Sequence, residues 1–303
     1  SALYPSRAVS MVYETLLEFD YQARPYRLIP GLAESLPEIQ SNGCVYVIRL
    51  HPDARFHPDP CFGTDAQGRP RGRAVTAQDV VYSLKRLADR RVVSPGSWLV
   101  EDAVLGMRAF AEASARGPAT DYELPVAGVR ALDARTVRIE LARPMHAFVW
   151  YLALTYSAVV PREAVDGYGA DFGSHAVGSG AYRLERWRRN HEMVFARDPA
   201  WRGWRAGPAA LKPGDAAVPF DRVEYRVIDD VSTQWLCFLA GELDFLGEVA
   251  RDNWDVVIDG TGGLNDTLRQ RGIALSVMPT LEVAYVGLNM DDPVLGKNRA
   301  LRQ

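Results

Sequence analysis

The clearest periodic pattern in the chain begins at Thr76. Val80, Leu84, Leu87 and Ala88 recur there at helical spacing, with polar residues between them. Thr76 is a suitable N-cap, Asp79 three residues on completes a capping box in acidic form, and Lys85 and Arg86 favour the C-terminal end. The spacing predicts a helix on Thr76–Arg86. A second helix is predicted over Met11–Phe19, with Val12, Leu16 and Phe19 on one side. A third covers Ser232–Ala240 and is stopped by Gly241. Strand patterns intervene. Cys44–Leu50 has Val45 and Val47 on one face and Tyr46, Ile48 and Leu50 on the other, which suits the middle of a sheet. Val126–Ala131 and Val137–Leu141 form a hairpin about Asp133-Ala134-Arg135. Tyr182–Trp187 follows the turn Gly178-Ser179-Gly180 and pairs with Met193–Ala196, Asp221–Ile228 alternates, and Leu281–Leu288 is a last strand. Ile29–Leu36 is a turn-rich connection, His51–Ala54 is a turn, and Phe62–Arg73 is polar, Gly- and Arg-rich, and expected as an exposed loop. The order of elements is neither a βαβ series nor a repeat array.

Composition adds bounds. The 303 residues are 48% hydrophobic and 24% charged, an ordinary globular mix with enough chain for one large domain or two smaller ones. A net charge of −3 gives no reason to expect nucleic acid or an anionic membrane as direct partner. Phe148–Val160 is apolar and aromatic but too short to span a bilayer. The 7 Trp and 13 Tyr supply large flat side chains for cores or for pockets that take amphipathic ligands.

Candidate chemistry is sparse. Cys237 reads as a buried, inert thiol in a helix; Cys44 and Cys61 either pair, in an oxidising compartment, or stay thiols. His57-Pro58-Asp59-Pro60-Cys61 offers three ligand types without a fourth at metal-like spacing, so no metal or other cofactor is expected. A metal hydrolase built on His51, His57, Asp59 and Cys61 is the best enzymatic alternative. No nucleophile motif or nucleotide loop supports an enzyme, and the Gly178–Gly180 turn leads into a strand rather than a phosphate-binding helix.

Several segments resemble, in order, the family 5 extracellular solute-binding proteins of bacterial ABC importers. They are Val12-Tyr13-Glu14-Thr15-Leu16-Leu17 with Asp20, Ile29-Pro30-Gly31-Leu32-Ala33-Glu34-Ser35, and Tyr46-Val47-Ile48-Arg49-Leu50 with Ala54-Arg55-Phe56-His57. The Thr76–Arg86 helix follows, then Gly178-Ser179-Gly180-Ala181-Tyr182 with Trp187 and Arg197-Asp198-Pro199-Ala200-Trp201. Ala240-Gly241-Glu242-Leu243-Asp244 and Tyr285-Val286-Gly287-Leu288-Asn289 with Asn298–Gln303 complete the series. The resemblance covers the first three-fifths of a family member.

The resemblance implies an α/β fold with mixed sheets: a type II periplasmic-binding-protein-like lobe with an inserted smaller α+β domain, the second lobe missing. Residues 1–13 and 162–280 would form the first lobe, 14–161 the inserted domain, and 281–303 the hinge strand and the start of the second lobe. It implies a non-enzymatic carrier, monomeric, periplasmic or a cell-surface lipoprotein whose signal segment lies outside this chain. Such a carrier captures a peptide or similar small solute and delivers it to a membrane permease. The alternative is the ligand-sensing domain of a transcription regulator with the same fold. By the same resemblance Leu3 lies in a strand edge, Ser1–Tyr4, that meets the ligand. Trp98 and Tyr156 line the cleft, Ser179 and Gly180 lie in the turn near the hinge, Glu248 reaches the cleft, and Tyr285 and Asn289 are hinge and pocket-floor residues. Each also has a plain structural role available: packing, a tight turn or a solvated charge.

Overall fold

A computed structural model describes residues 3–20, 23–206, 220–277 and 285–302. The chain divides into two compact units, Ser1–Val227 and Ile228–Gln303.

The first unit opens with helix α1 (Leu3–Val12), then β1 (Leu17–Phe19) and β2 (Leu28–Pro30), paired antiparallel. β3 (Glu38–Gln40) and β4 (Val45–Arg49) follow, then β5 (Asp59–Thr64), β6 (Pro70–Arg71), α2 (Ala77–Ala88), α3 (Met107–Ser114), β7 (Val129–Ala131) and β8 (Thr136–Glu140). β3, β4, β8 and β7 make a four-stranded antiparallel sheet in the order β3-β4-β8-β7, so β4 is central, as its two-faced apolar pattern requires. Its Tyr46 and Ile48 are buried together with Val137 and Ile139 of β8 and with Val80, Leu84 and Leu87 of α2. The capping box of α2 forms as predicted. The Thr76 hydroxyl accepts from the Asp79 amide, and the Asp79 carboxylate accepts from the Thr76 amide at 2.8 Å. Asp79 also takes both terminal nitrogens of Arg73, at 2.8 and 2.7 Å, fixing the strap that leads into the helix.

After α4 (Phe148–Tyr151) and α5 (Arg162–Tyr168), the strands β9 (Tyr182–Arg188), β10 (Glu192–Arg197) and β11 (Arg222–Arg226) form an antiparallel sheet in the order β11-β10-β9. α1 lies on this sheet, where Ala8, Val12 and Phe195 make a second core, separate from that of the four-stranded sheet. The second unit holds α6 (Val231–Leu239), α7 (Trp254–Val257) and α8 (Asp266–Gln270) around Trp235, Val257, Leu264 and Leu268.

Three expectations are corrected. The helix predicted over Met11–Phe19 ends at Val12, and Glu14–Leu17 runs buried and non-helical. Its backbone is claimed by other segments: Val159 N–H donates to Glu14 O, Leu32 N–H to Thr15 O, Gly31 N–H to Leu16 O, and Leu17 N–H to Leu152 O. These long-range bonds replace the helical ladder, so helical spacing over three apolar residues misleads. The polar stretch Phe62–Arg73 is not a plain loop but largely the hairpin β5–β6. Its tip is closed by Asp65, whose carboxylate accepts from the amides of Gln67 and Arg69. Of the predicted strand Leu281–Leu288, residues 281–284 lie outside the described residues, and Tyr285–Leu288 carry no strand. Cys44, Cys61 and Cys237 are all free thiols.

Candidate functional site

Two of the predicted cleft residues converge. Trp98 sits in a short 3-10 turn, Ser97–Leu99, and is 55% exposed. Tyr156 sits in another, Thr155–Ser157, and is 46% exposed. The loop before Trp98 is pressed onto Tyr156: a β-carbon added at Gly96 would lie 2.6 Å from that of Tyr156. Trp98 meets the ring of Tyr151 edge-on at 5.2 Å, and Trp150, 36% exposed, stands 5.8 Å from Phe19. The result is an aromatic surface with open ring faces backed by the buried Phe148. Flat faces of this kind hold apolar side chains and peptide planes without demanding one sequence. Sequence reading missed Trp150 and Tyr151 because the apolar run around them reads as core. No local signal separates them from the buried Phe148 and Leu152 around them.

Ser179 and Gly180 lie instead in a buried seam between the two cores of the first unit. Gly180 N–H donates to Val12 O at 2.8 Å, and His57 N–H donates to Gly178 O at 2.8 Å. A β-carbon at Gly178 would lie 1.9 Å from Val12 O, so only glycine permits this approach. The His57 ring, 4% exposed, bonds through Nε2 to Gly180 O at 2.8 Å, with Asp198 Oδ2 3.9 Å away. Burial lowers its pKa; the Gly180 carbonyl and the Asp198 carboxylate only partly oppose that. Beside it Arg202 makes two bonds to the buried Glu14 carboxylate, at 2.8 and 2.6 Å, and a third to Gly31 O at 2.6 Å. This pair, invisible to sequence periodicity, ties the start of the first core to the segment after β10.

The His57–Cys61 segment does not gather a metal set. His57 faces the seam, whereas Asp59 accepts from the Tyr168 hydroxyl at 2.7 Å. Burial and the neighbouring Asp59 push the Cys61 thiol up to about 12. Among the described residues no group of three or more His, Cys, Asp or Glu side chains is placed to hold a metal. No helix among them is long and apolar enough to cross a membrane.

The remaining candidates are placed as follows. The backbone of Leu3 begins α1, so Leu3 and Tyr4 are helical rather than an extended edge; Ser1 and Ala2 lie outside the described residues. Within the second unit Glu248 is exposed, Tyr285 is 84% exposed, and the Asn289 side chain accepts from the Asp291 amide at 3.0 Å.

Comparison with known proteins gives a consistent picture. The model of the family described as bacterial extracellular solute-binding proteins, family 5 Middle, matches residues 27–303. The peptide transport periplasmic protein SapA of Salmonella typhimurium is 28% identical over 319 residues, covering 100% of this chain and 48% of its own length. The periplasmic oligopeptide-binding protein OppA of Escherichia coli is 28% identical, covering 77% of this chain and 37% of its own. The glutathione-binding protein GsiB of Pectobacterium atrosepticum is 25% identical, covering 92% and 42%. The chain therefore spans about half, or less, of the length of these curated relatives. Among solved structures, the oligopeptide-binding protein OppAIV of Borrelia burgdorferi superposes with a TM-score of 0.66 at 21% identity, over 84% of this chain and 45% of that one. The pheromone receptor PrgZ superposes at 0.64 and 21% identity, over 83% and 45%.

Proposed function

The chain belongs to the family 5 bacterial extracellular solute-binding proteins, and from that membership we propose that it captures a peptide for an ABC importer. Its role in solute binding is the family's; the peptide, the permease and the location outside the cytoplasmic membrane are inferred. The names of the relatives support the reading, since they include a peptide transport protein and an oligopeptide binder, both described as periplasmic, and a glutathione binder. The observation that carries it is the pair of exposed aromatics Trp98 and Tyr156, with the half-buried Tyr151 ring edge-on behind Trp98. It offers apolar contact without a narrow specificity pocket, which is what broad peptide recognition needs.

In this reading residues 1–13 and 162–280 form the ligand-binding lobe, 14–161 an inserted domain, and 281–303 the hinge strand and the beginning of a second lobe. The separate cores built on the two sheets of the first unit support the first boundary. Trp98 and Tyr156 would face the ligand from the first unit, with Ser179 and Gly180 holding the turn beside the hinge; Glu248, Tyr285 and Asn289 would be the ligand-facing positions of the second unit. Ligand that touches both lobes only when they are closed stabilises the closed state, and a permease reads that state.

A thermal-shift survey of the full-length protein against di- to pentapeptides tests this. Saturable stabilisation by peptides, absent for free amino acids and sugars at equal concentration, is expected. Stabilisation by none of the peptides would overturn it.

A further inference from the structure

Within the first unit, a cavity of about 250 Å³ opens beside the seam, between the turn at Gly72 and the segment that follows β10. It holds far more than one water, whose share of liquid volume is about 30 Å³. It is smaller than the roughly 300–1,000 Å³ of a drug-sized site.

Two polar groups on its wall lack partners among the described residues, and a third is a carboxylate with acceptor capacity to spare. Ser179, 1% exposed, lines the cavity, and its Oγ has no hydrogen-bond partner among the described residues. Trp201 lines it too, and its indole Nε1, also buried, has none. Asp198 is 8% exposed. Its Oδ1 accepts from the Ala200 amide and lies 3.7 Å from Arg183, and its Oδ2 lies 3.9 Å from His57 Nε2. An orphaned buried polar group costs about 1–3 kcal/mol, so two around one cavity, beside a carboxylate with acceptor capacity to spare, favour a polar occupant.

Their chemistry defines that ligand. The indole only donates, the carboxylate only accepts, and the hydroxyl does either. One functional group that answers all three is another hydroxyl. Charge on the lining balances, with Asp53 and Asp198 against Arg55 and Arg202, and Arg202 is already committed to Glu14. An ammonium at Asp198 would also meet Arg183, 3.7 Å from its Oδ1. Neither a free cation nor an anion is favoured. The ring of Trp201 and the buried Phe56 supply apolar faces for the carbon side of such a molecule.

We propose that this cavity is a second binding site, for a small neutral polyhydroxylated molecule of monosaccharide or short-polyol size. It is distinct from the aromatic surface at Trp98 and does not rest on the peptide-binding reading. Occupied, it would brace the seam in which His57, Asp198 and Ser179 meet.

Saturation-transfer NMR and calorimetry with glycerol, glucose and galactitol test it, with alanine and glycine betaine as zwitterionic probes. Saturable binding of at least one polyol is expected, at millimolar affinity or better. Trp201→Phe keeps the ring and removes the N–H, and Ser179→Ala removes an orphan whose loss does not threaten folding. Each should weaken binding by about tenfold, the factor that 1.4 kcal/mol represents. Trp98→Ala should leave it unchanged. Three results would each overturn the proposal. They are no saturable polyol binding, meaning ordered water only; tighter binding of the zwitterions; or polyol affinity equal in wild type and Trp201→Phe.

Discussion

At the scale of single residues, the seam concentrates the least replaceable side chains. Arg202 and Glu14 have side chains 11% and 4% exposed, so removing one member leaves the other buried and uncompensated. Arg202→Met is expected to destabilise the protein by about 3–5 kcal/mol in urea unfolding. A loss below about 1 kcal/mol, the value of a surface pair, would refute this view of the seam. Gly178→Ala forces a β-carbon into Val12 O and should cost at least about 3 kcal/mol, at the upper end of overpacking costs. His57 makes the seam pH-sensitive. Its folded pKa lies below 6.5, so the fold keeps it neutral while the unfolded chain takes up a proton. Its contribution is complete above pH 6.5 and is lost as pH falls from there through the folded value. Asp198, Arg183 and Glu14 act on it from the neighbouring segments. Stability measured from about pH 8 down to about pH 5 should fall less steeply in His57→Gln than in wild type. Parallel profiles would count against the assignment.

At the scale of elements, what could be read in the sequence was local. The capping box at Thr76 and Asp79, the two-faced strand β4 and the β7–β8 hairpin each carry their own signal within a few residues, and each forms. Thr76→Ala is expected to cost about 1 kcal/mol. Asp79→Ala should cost about 2–3 kcal/mol, because it also strips Arg73 of a two-point partner. Equal losses would mean that Arg73 contributes nothing there. What escaped the sequence was set by distant backbone. Glu14–Leu17 gives up the helix to bonds from the amides of Gly31, Leu32 and Val159 and to the carbonyl of Leu152, none of which lies in the local window. The β5–β6 hairpin escaped because Asp65, not an apolar pattern, closes it. At the site, Trp98 and Tyr156 were individually visible, but their meeting depends on Gly96 fitting against Tyr156, a contact between remote segments.

For the whole molecule, family membership and geometry address different questions. The match over residues 27–303 assigns the chain to its family. The aromatic surface nominates where solute is met, and the two cores of the first unit suggest how a binding lobe can carry an inserted domain. The proposed function makes this protein a peptide binder in which Trp98 meets the ligand. Calorimetric titration of the full-length protein with a tripeptide and a pentapeptide, in wild type and Trp98→Ala, tests it most directly. Saturable binding by wild type is expected, with about tenfold or greater weakening in Trp98→Ala, some 1.4 kcal/mol, and an unchanged melting temperature. Absence of peptide binding in wild type, or equal affinity in the two proteins, would contradict it.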